Sequence, residues 1–301
     1  MVLRFVIALL GLVLLGGHPV FAGSACEAAS SRTKAVFCST PENQAEFDTI
    51  ETLEAELESA APDFARSALV AEQARFVEIQ TYSVATSGSP AAVERNAKRR
   101  MDERKALLEF RKATPVTVDV PEAPTEGFAG HCESWVRKRS PEADTVSFLE
   151  QSLKADGCGS LENALPRLFE FDVAAHVPDS DLDRAKGFFP KKLASLDPLA
   201  YLVNLRELVL PYGAAVRDLS PLRKLTLLRR ISVSAAPVET LEPLRNLRLL
   251  EDLAVRTTKV SDLTPVMDLP RLRSLDIRRL KVPKQQIDEF KRKHPACEVS
   301  S

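Results

Sequence analysis

The C-terminal part of the chain repeats itself at a nearly constant interval, and this repetition restricts the fold more than any other feature. Four segments begin at Leu196, Leu219, Leu241 and Leu263; the first has 23 residues and the others have 22. In each segment an aliphatic residue recurs at positions 1, 4, 7, 10, 13 and 15, and proline stands at position 3. One such unit cannot bury its apolar side alone, whereas stacked units form a continuous core. The pattern therefore predicts a solenoid.

Two kinds of spacing occur inside each unit. The apolar pair at positions 13 and 15, such as Leu208 and Leu210, has the period of two that is typical of a short strand with both side chains directed inward. The leucines at intervals of three favour a tight, partly 3₁₀ return segment, which the proline makes more rigid. Stacking of such units predicts a curved sheet of parallel strands.

The stretches LSPLRKLTLLRRISVSAAPVET, LEPLRNLRLLEDLAVRTTKVSD and LTPVMDLPRLRSLDIRRLKVPK resemble the leucine-rich repeat family in its 22-residue bacterial, internalin-like form, which is exported. The resemblance covers residues 145–301 and implies an α/β solenoid: a short repeat array with parallel strands on its concave face and a helical N-terminal cap. The family usually has asparagine three residues after the L-x-L pair. Here Gly213, Ala236, Thr258 and Leu280 stand there, which predicts less regular loops with only Thr258 as a partial substitute.

The region before the repeats predicts further domains, with an α-helical module preceding the solenoid. Thr40-Pro41-Glu42 is a typical helix start, and apolar stripes predict three amphipathic helices up to Thr114-Pro115. The predicted division is as follows: signal peptide 1–22, α-helical module 23–114, Pro-rich linker 115–130, N-terminal cap and first irregular repeat 131–195, four regular repeats 196–284, and C-terminal cap 285–301.

The first residues match a secretory signal. Arg4 is followed by an apolar run of 11 residues, Phe5 to Leu15, and Val20-Phe21-Ala22 is a small-residue cleavage site. We expect an exported protein, periplasmic or secreted, that begins near Gly23 and has no transmembrane segment once the signal is removed. Lipid anchoring through Cys26 is the alternative, but the apolar run ends well before this residue.

Export permits disulfides, and five cysteines allow at most two. Sequence alone leaves the pairing open. The local choice joins Cys26 to Cys38 and Cys132 to Cys158, with Cys297 as a buried structural thiol. No spacing typical of a metal site occurs.

Charge is distributed unevenly along the chain. From Leu196 onward there are 19 basic and 13 acidic residues, net +6, whereas residues 1–195 have 22 and 29, net −7. Within the helical module, residues 39–80 are acidic and the third helix is basic. Solvated faces and mutual ion pairs within one bundle explain this pattern. The alternatives are a nucleic-acid surface, which export and scarce aromatic residues disfavour, and an interfacial membrane helix with a small apolar face.

The outward strand positions are the predicted binding surface, since the family binds partners mostly on the concave face. The predicted binding residues are Glu207, Val209, Arg230, Ser232, Asp252, Arg256, Asp276 and Arg278. Arg230, Arg256 and Arg278 are the predicted anchors, in a slanted row across successive strands, with Tyr212, Thr257 and Arg279 just beyond. The alternative is a merely solvated sheet face.

Motifs of catalysis are missing from the sequence: no G-x-S-x-G, H-E-x-x-H, P-loop or G-x-G-x-x-G occurs. The Asp179–Asp181–Asp183 alternation is similar to a calcium loop but has Arg184 and Lys191 where that loop needs Gly and Glu. We therefore predict a monomeric, non-catalytic protein-interaction module without a metal or cofactor, whose partner is another protein and not nucleic acid. The alternatives are an envelope scaffold and an enzyme whose activity resides in the helical module.

Overall fold

The structure is a computed structural model that describes residues 25–62, 65–66, 69–70, 72–74, 76–77, 81, 89–122, 124, 127–165, 170–172, 193–210 and 212–301. It divides the chain into two compact units, one of residues up to 62 and 69–113, the other of residues 63–68 and 114–301. The predicted signal peptide, the loop with Asp179, Asp181 and Asp183, and Pro211 lie outside the described residues.

The first unit consists of helices. They are α1 (Ala25–Ala28), α2 (Ser31–Phe37), α3 (Pro41–Ala60) and α4 (Pro90–Ala113), and the described residues between 69 and 81 are helical as well. The start of α3 is as the sequence predicts: Thr40 is the N-cap, its hydroxyl accepts a bond of 3.2 Å from Asn43 N–H, and Pro41 follows. No helix among the described residues is long and apolar enough to cross a membrane.

The core of this unit is aromatic at one end and aliphatic along α4. The rings of Phe37 and Phe47 stack with their centroids 5.6 Å apart, and Ile50, Met101 and Leu108 are completely buried. A disulfide joins Cys26 to Cys38, which ties α1 to the end of α2. The short helices α1 and α2, which the apolar stripes do not predict, are thus held by a covalent bond.

The second unit begins with three helices and a strand. These are α5 (Phe128–Lys138), α6 (Pro141–Leu153), α7 (Gly157–Ala164) and β1 (Glu170–Asp172). A disulfide between Cys132 and Cys158 joins α5 to α7, so both bonds of the local pairing are present. The buried hydroxyl of Thr145 in α6 donates a bond of 2.7 Å to Ser195 O, directly before the first regular repeat.

The four repeats have the predicted register. Each starts with its leucine and continues in a 3₁₀ turn whose second residue is proline. A three-residue strand follows. The 3₁₀ turns are Asp197–Tyr201, Ser220–Leu222, Glu242–Leu244 and Thr264–Val266. The strands are β2 (Glu207–Val209), β3 (Arg230–Ser232), β4 (Asp252–Ala254) and β5 (Ser274–Asp276). A C-terminal helix, α8 (Lys284–Lys293), and β6 (Glu298–Ser300) follow.

The strands form one parallel sheet in the order β1-β2-β3-β4-β5-β6. Equivalent positions pair across it, as in Leu208 with Ile231 and Leu253 with Leu275. The aliphatic columns of all repeats meet in a single core between the sheet and the 3₁₀ turns; Leu202, Leu225 and Leu247, for example, are completely buried. The architecture is therefore an α/β solenoid of stacked repeats.

The loops after the strands are more regular than the missing asparagines predict. Ala235, Thr257 and Arg279, at the same position of three repeats, all have a left-handed backbone with φ between 59° and 64°. Ala235 N–H donates to Arg256 O at 2.8 Å and Thr257 N–H to Arg278 O at 3.0 Å. The expectation of irregular loops is wrong here because backbone bonds between repeats replace the side-chain ladder. The Thr258 hydroxyl adds a bond of 2.8 Å to Val255 O.

The residues after α4 do not form a free tether. In the extended segment from Thr114 to Glu122, Thr114 O accepts a bond of 2.8 Å from Arg271 Nε, and Asp119 O accepts one of 2.6 Å from the Thr226 hydroxyl. Lys224 forms an ion pair of 2.6 Å with Glu122. This segment is bonded along the side of the repeats.

Cys297 lies at the C-terminal end, where it packs half-buried against the core. Burial, together with the negative charges of Asp252 and Glu298, raises the pKa of its thiol to about 11. The thiol is therefore protonated at neutral pH.

Candidate functional site

The candidate site is the strand face, by which we mean the outward side chains of β2–β5 and the residues directly after these strands. Alternation along each strand places Leu208, Ile231, Leu253 and Leu275 inward and their neighbours outward. The eight predicted binding residues all lie on this face. Arg230, Arg256 and Arg278 are exposed, and Glu207, Val209, Ser232, Asp252 and Asp276 are half-buried.

The strand starts carry charges of alternating sign. Glu207, Arg230 and Asp252 are register partners on β2, β3 and β4, so opposite charges are neighbours. Arg230 Nη1 lies 4.0 Å from Glu207 Oε2, and neither side chain is buried. Pairs of this kind contribute little to stability, but they cancel charge locally.

The predicted slanted row of three arginines is wrong. Arg230 opens its strand beside Asp252, whereas Arg256 and Arg278 follow the ends of β4 and β5. Arg230 therefore stands four positions earlier in its repeat than the other two. The structure brings together Arg256 and Arg278 and leaves Arg230 in the row of alternating charge.

A depression of about 420 Å³ lies at the ends of the strands, lined by Tyr212, Arg256, Thr257, Arg278 and Arg279. It is open to solvent on one side, and its lining contains three guanidinium groups and one aromatic ring. We call these five residues the arginine depression. Arginine and tyrosine are the residue types that most often dominate binding energy at protein interfaces.

Arg256 and Tyr212 form one wall of the arginine depression. The guanidinium carbon of Arg256 lies 5.9 Å from the centroid of the Tyr212 ring, a cation–π arrangement between two exposed side chains. The two residues belong to repeats that are not adjacent, and the repeat between them has the small residues Ser234 and Ala235 at these positions. Small side chains there leave the space that the larger ones border.

Arg278 is held by its own strand. Its Nε and Nη2 donate bonds of 2.9 and 2.6 Å to the two carboxylate oxygens of Asp276, and its backbone N–H donates one of 3.2 Å to Oδ1. The hydrogen bond from the Arg278 side chain, with the nearby charge of Arg256, keeps the pKa of Asp276 below its usual range. Asp276 is therefore ionised at neutral pH.

Sequence reasoning places Tyr212, Thr257 and Arg279 beside the binding surface but misses the pairing of Asp276 with Arg278. The sequence contains a pattern that predicts this pairing. Residues two apart in a strand share a face, and the D-x-R spacing at the end of β5 puts a carboxylate and a guanidinium side by side. Among the described residues, no group of three or more histidine, cysteine, aspartate or glutamate side chains forms a possible metal site.

The comparisons with known proteins concern the repeats. No family model and no curated protein matches the chain. Solved structures do match, among them an internalin C2 of Listeria monocytogenes, with 33% identity over 30% of this chain and 39% of that chain and a TM-score of 0.29. A leucine-rich repeat protein of Leptospira interrogans matches at 18% identity over 47% of this chain and 39% of that chain, with a TM-score of 0.36.

An internalin of L. monocytogenes, InlF, matches at 18% identity over 55% of this chain and 57% of that chain, with a TM-score of 0.34. The chain thus spans less than two thirds of the length of each of these structures. Its fold follows from its own repeats, register and core as described above.

The helical unit contains a second group of charges, which is closed on itself. Arg104 is 6% exposed; its guanidinium contacts Glu54 and lies 2.8 Å from Glu72, and that carboxylate also pairs with the buried Arg111 at 2.7 Å. Burial raises the pKa of Glu54, and Arg104 acts against this. Only part of the predicted basic face of α4 is solvated, since these two arginines are inside the unit.

Proposed function

We propose that this chain is an exported, non-catalytic leucine-rich repeat protein that binds another protein through its strand face. The observation that carries the proposal is the arginine depression, where three guanidinium groups and a tyrosine lie together at the ends of neighbouring strands. Its exposed aromatic ring is accessible, since Tyr212 is 62% exposed. These are the groups that anchor protein partners when a pocket of the partner surrounds them.

The geometry of the sheet supports recognition by a rigid surface. The strand ends are joined by backbone bonds between successive repeats, so the side chains of the arginine depression project from fixed positions. Arg256 lies against the ring of Tyr212, and Arg278 is hydrogen-bonded to Asp276. Both arginines therefore lose fewer rotamers on binding than free surface arginines do. A preorganised surface loses less entropy when it binds.

The two disulfides are consistent with export. Disulfides persist in oxidising compartments, and the two bonds of the structure join four of the five cysteines. We infer a periplasmic or secreted monomer without a lipid anchor on Cys26, because that sulfur is used in the bond to Cys38. The expected partner is a protein of the same compartment or of a cell surface.

Affinity capture with charge-reversed variants tests the proposal. The mature chain is immobilised, exposed to an extract of the source cells and their medium, and compared with a variant that has Arg256→Glu and Arg278→Glu. The matched control has Arg99→Glu and Arg100→Glu on α4, which changes the net charge equally at one exposed and one half-buried position. We expect the strand-face variant to lose the retained partner and the control to keep it, with thermal unfolding nearly unchanged in both.

Loss of the partner in the α4 variant alone would assign binding to the helical unit and make the solenoid a scaffold. Retention by both variants would place recognition outside the strand face. Either result contradicts the proposal.

A further inference from the structure

A carboxylate of the chain itself already binds one of the arginines that line the arginine depression. The carboxylate of Asp276 takes two side-chain bonds from Arg278, at 2.9 and 2.6 Å, and one backbone bond from the same residue. Its side chain is 19% exposed, whereas that of Arg278 is 53% exposed. Two of the guanidinium nitrogens that a ligand carboxylate would use are therefore engaged inside the protein.

The other two arginines of the depression are available. Among the described residues, neither Arg256 nor Arg279 has a carboxylate within ion-pair distance, and Arg256 lies against the ring of Tyr212. Three positive charges and one negative charge thus leave the depression with a net charge of +2. An anionic ligand is attracted to it, and its first contacts are with the two arginines that lack an ion pair.

Three backbone donors at the strand ends are bonded inside the protein and are not available to a ligand. Thr257 N–H donates to Arg278 O at 3.0 Å, Thr258 N–H to Val255 O at 3.3 Å, and Arg278 N–H to Asp276 Oδ1 at 3.2 Å. Sites for a single phosphate or sulfate commonly use converging backbone N–H groups. In the arginine depression the groups offered to a ligand are the arginine side chains, and these follow two neighbouring strands about 4.8 Å apart. This arrangement suits several carboxylates spaced along one chain, because each guanidinium fork takes one carboxylate with two bonds.

We propose that the arginine depression binds an acidic segment of a polypeptide, with Asp276 as an internal competitor for Arg278. One carboxylate of the ligand binds Arg256 beside Tyr212. A second reaches Arg279 and shares or displaces the fork of Arg278 that Asp276 occupies. Asp276 thereby limits the affinity for acidic ligands. This proposal rests on the proposed function and specifies the chemistry of the partner at that surface.

Neutralising the competitor tests the proposal. Poly-L-glutamate is titrated into the full mature chain at low ionic strength, followed by calorimetry, for wild type, Asp276→Asn and Asp252→Asn. Asp252 is the matched control, because it is an outward aspartate on the neighbouring strand that pairs at 3.9 Å with Arg273, which does not line the depression. We expect Asp276→Asn to bind about fivefold more tightly than wild type, the effect of one unit charge removed at about 4 Å in water. We expect Asp252→Asn to stay within about twofold, since its charge is farther from the ligand.

Two further variants complete the test. Asp276→Ser removes the same charge and fits a strand position where β3 has Ser232 and β6 has Ser300, so it replaces Asp276→Asn if that variant does not fold. A variant with Arg256→Glu and Arg279→Glu is expected to lose binding of poly-L-glutamate.

Equal strengthening by Asp252→Asn would overturn the competitor role, since general electrostatics would then explain the gain. Binding of heparin without binding of poly-L-glutamate would overturn the ligand class in favour of a sulfated polysaccharide. Failure of both probes, with partner capture still dependent on Arg256 and Arg278, would overturn this inference and leave the strand face as the binding surface. Independence of partner capture from these arginines is the separate failure of the proposed function.

Discussion

The hydroxyl of Thr226 donates a hydrogen bond of 2.6 Å to the carbonyl oxygen of Asp119, across 107 positions of sequence. Thr226 is 7% exposed and lies in the second regular repeat, and Asp119 lies in the proline-containing segment after α4. Together with the bond from Arg271 to Thr114 O, it fastens this segment to the side of the repeats. The segment is thus part of the second compact unit.

The nearly isosteric change Thr226→Val tests this bond. We expect it to lower the free energy of unfolding by about 1 kcal/mol, the usual net effect of one lost hydrogen bond. Ser220→Ala, an exposed position in the same repeat, should change stability by about 0.5 kcal/mol or less. Urea unfolding of the two variants measures the difference, and equal midpoints would show that the segment is not bonded in solution.

The core of the solenoid is tested in its third regular repeat. Leu247 is completely buried and has repeats on both sides, so Leu247→Ala should cost about 2–5 kcal/mol through lost contacts and the cavity that remains. Ala254 is outward on β4, and Ala254→Ser should cost about 0.5 kcal/mol or less. Similar urea midpoints for both variants would mean that the register of the repeats is incorrect.

The fold of the repeats follows from the sequence because each column of the repeat has one physical role. Leucines at intervals of three give the 3₁₀ turn, and the pair at positions 13 and 15 gives the strand, so bounds and register come from the same periodicity. The regular loops could not be predicted in this way. Their left-handed residues Ala235, Thr257 and Arg279 share no side-chain chemistry, and the bonds that stabilise them are between backbones.

The ion pairs of the helical unit agree with the predicted mutual pairing of its acidic and basic helices, but that prediction does not include the burial of two of the arginines. Ala97, Met101, Arg104, Leu108 and Arg111 are all buried on α4. Their spacings of 4, 3, 4 and 3 are those of one helix face, so the periodicity includes both arginines. The spacing alone therefore indicates that Arg104 and Arg111 lie on the buried face of α4.

Removing Arg104 tests the role of this buried group. Arg104→Ala leaves Glu54 and Glu72 with less positive charge inside the unit, and we expect a loss of about 3–5 kcal/mol. Arg100→Ala, which breaks an exposed pair with Glu103, is the control and should cost at most about 1 kcal/mol.

The pH dependence of Arg104→Ala has a definite sign. Burial raises the pKa of Glu54, and the charge of Arg104, which acts against this rise, is absent in the variant. The folded state then binds a proton more tightly than the unfolded chain, so stability increases as the pH falls from about 7 to about 5. Thermal unfolding at both pH values measures this. A variant that loses more stability at the lower pH would contradict the placement of Glu54.

Export and the disulfides are tested by mass. We expect intact-mass analysis of the exported protein to show a chain that begins near Gly23 with one alkylatable thiol, that of Cys297. The bond between Cys132 and Cys158 spans 26 positions, so its removal by Cys132→Ser and Cys158→Ser should cost about 3 kcal/mol in the chain-entropy model. Retention of residues 1–22, or three or more free thiols, would contradict the prediction.

The most direct test of the strand face as the binding surface is site-specific photo-crosslinking in the third regular repeat. A photoreactive residue replaces Ala254 on β4 in one protein and Arg245, exposed directly after the 3₁₀ turn on the opposite side of the repeat, in the other. We predict that the partner is crosslinked from position 254 and not from position 245, and that Arg256→Glu with Arg278→Glu abolishes the crosslink. Crosslinking from position 245 alone, or from position 254 equally well in the charge-reversed variant, would contradict recognition by this face.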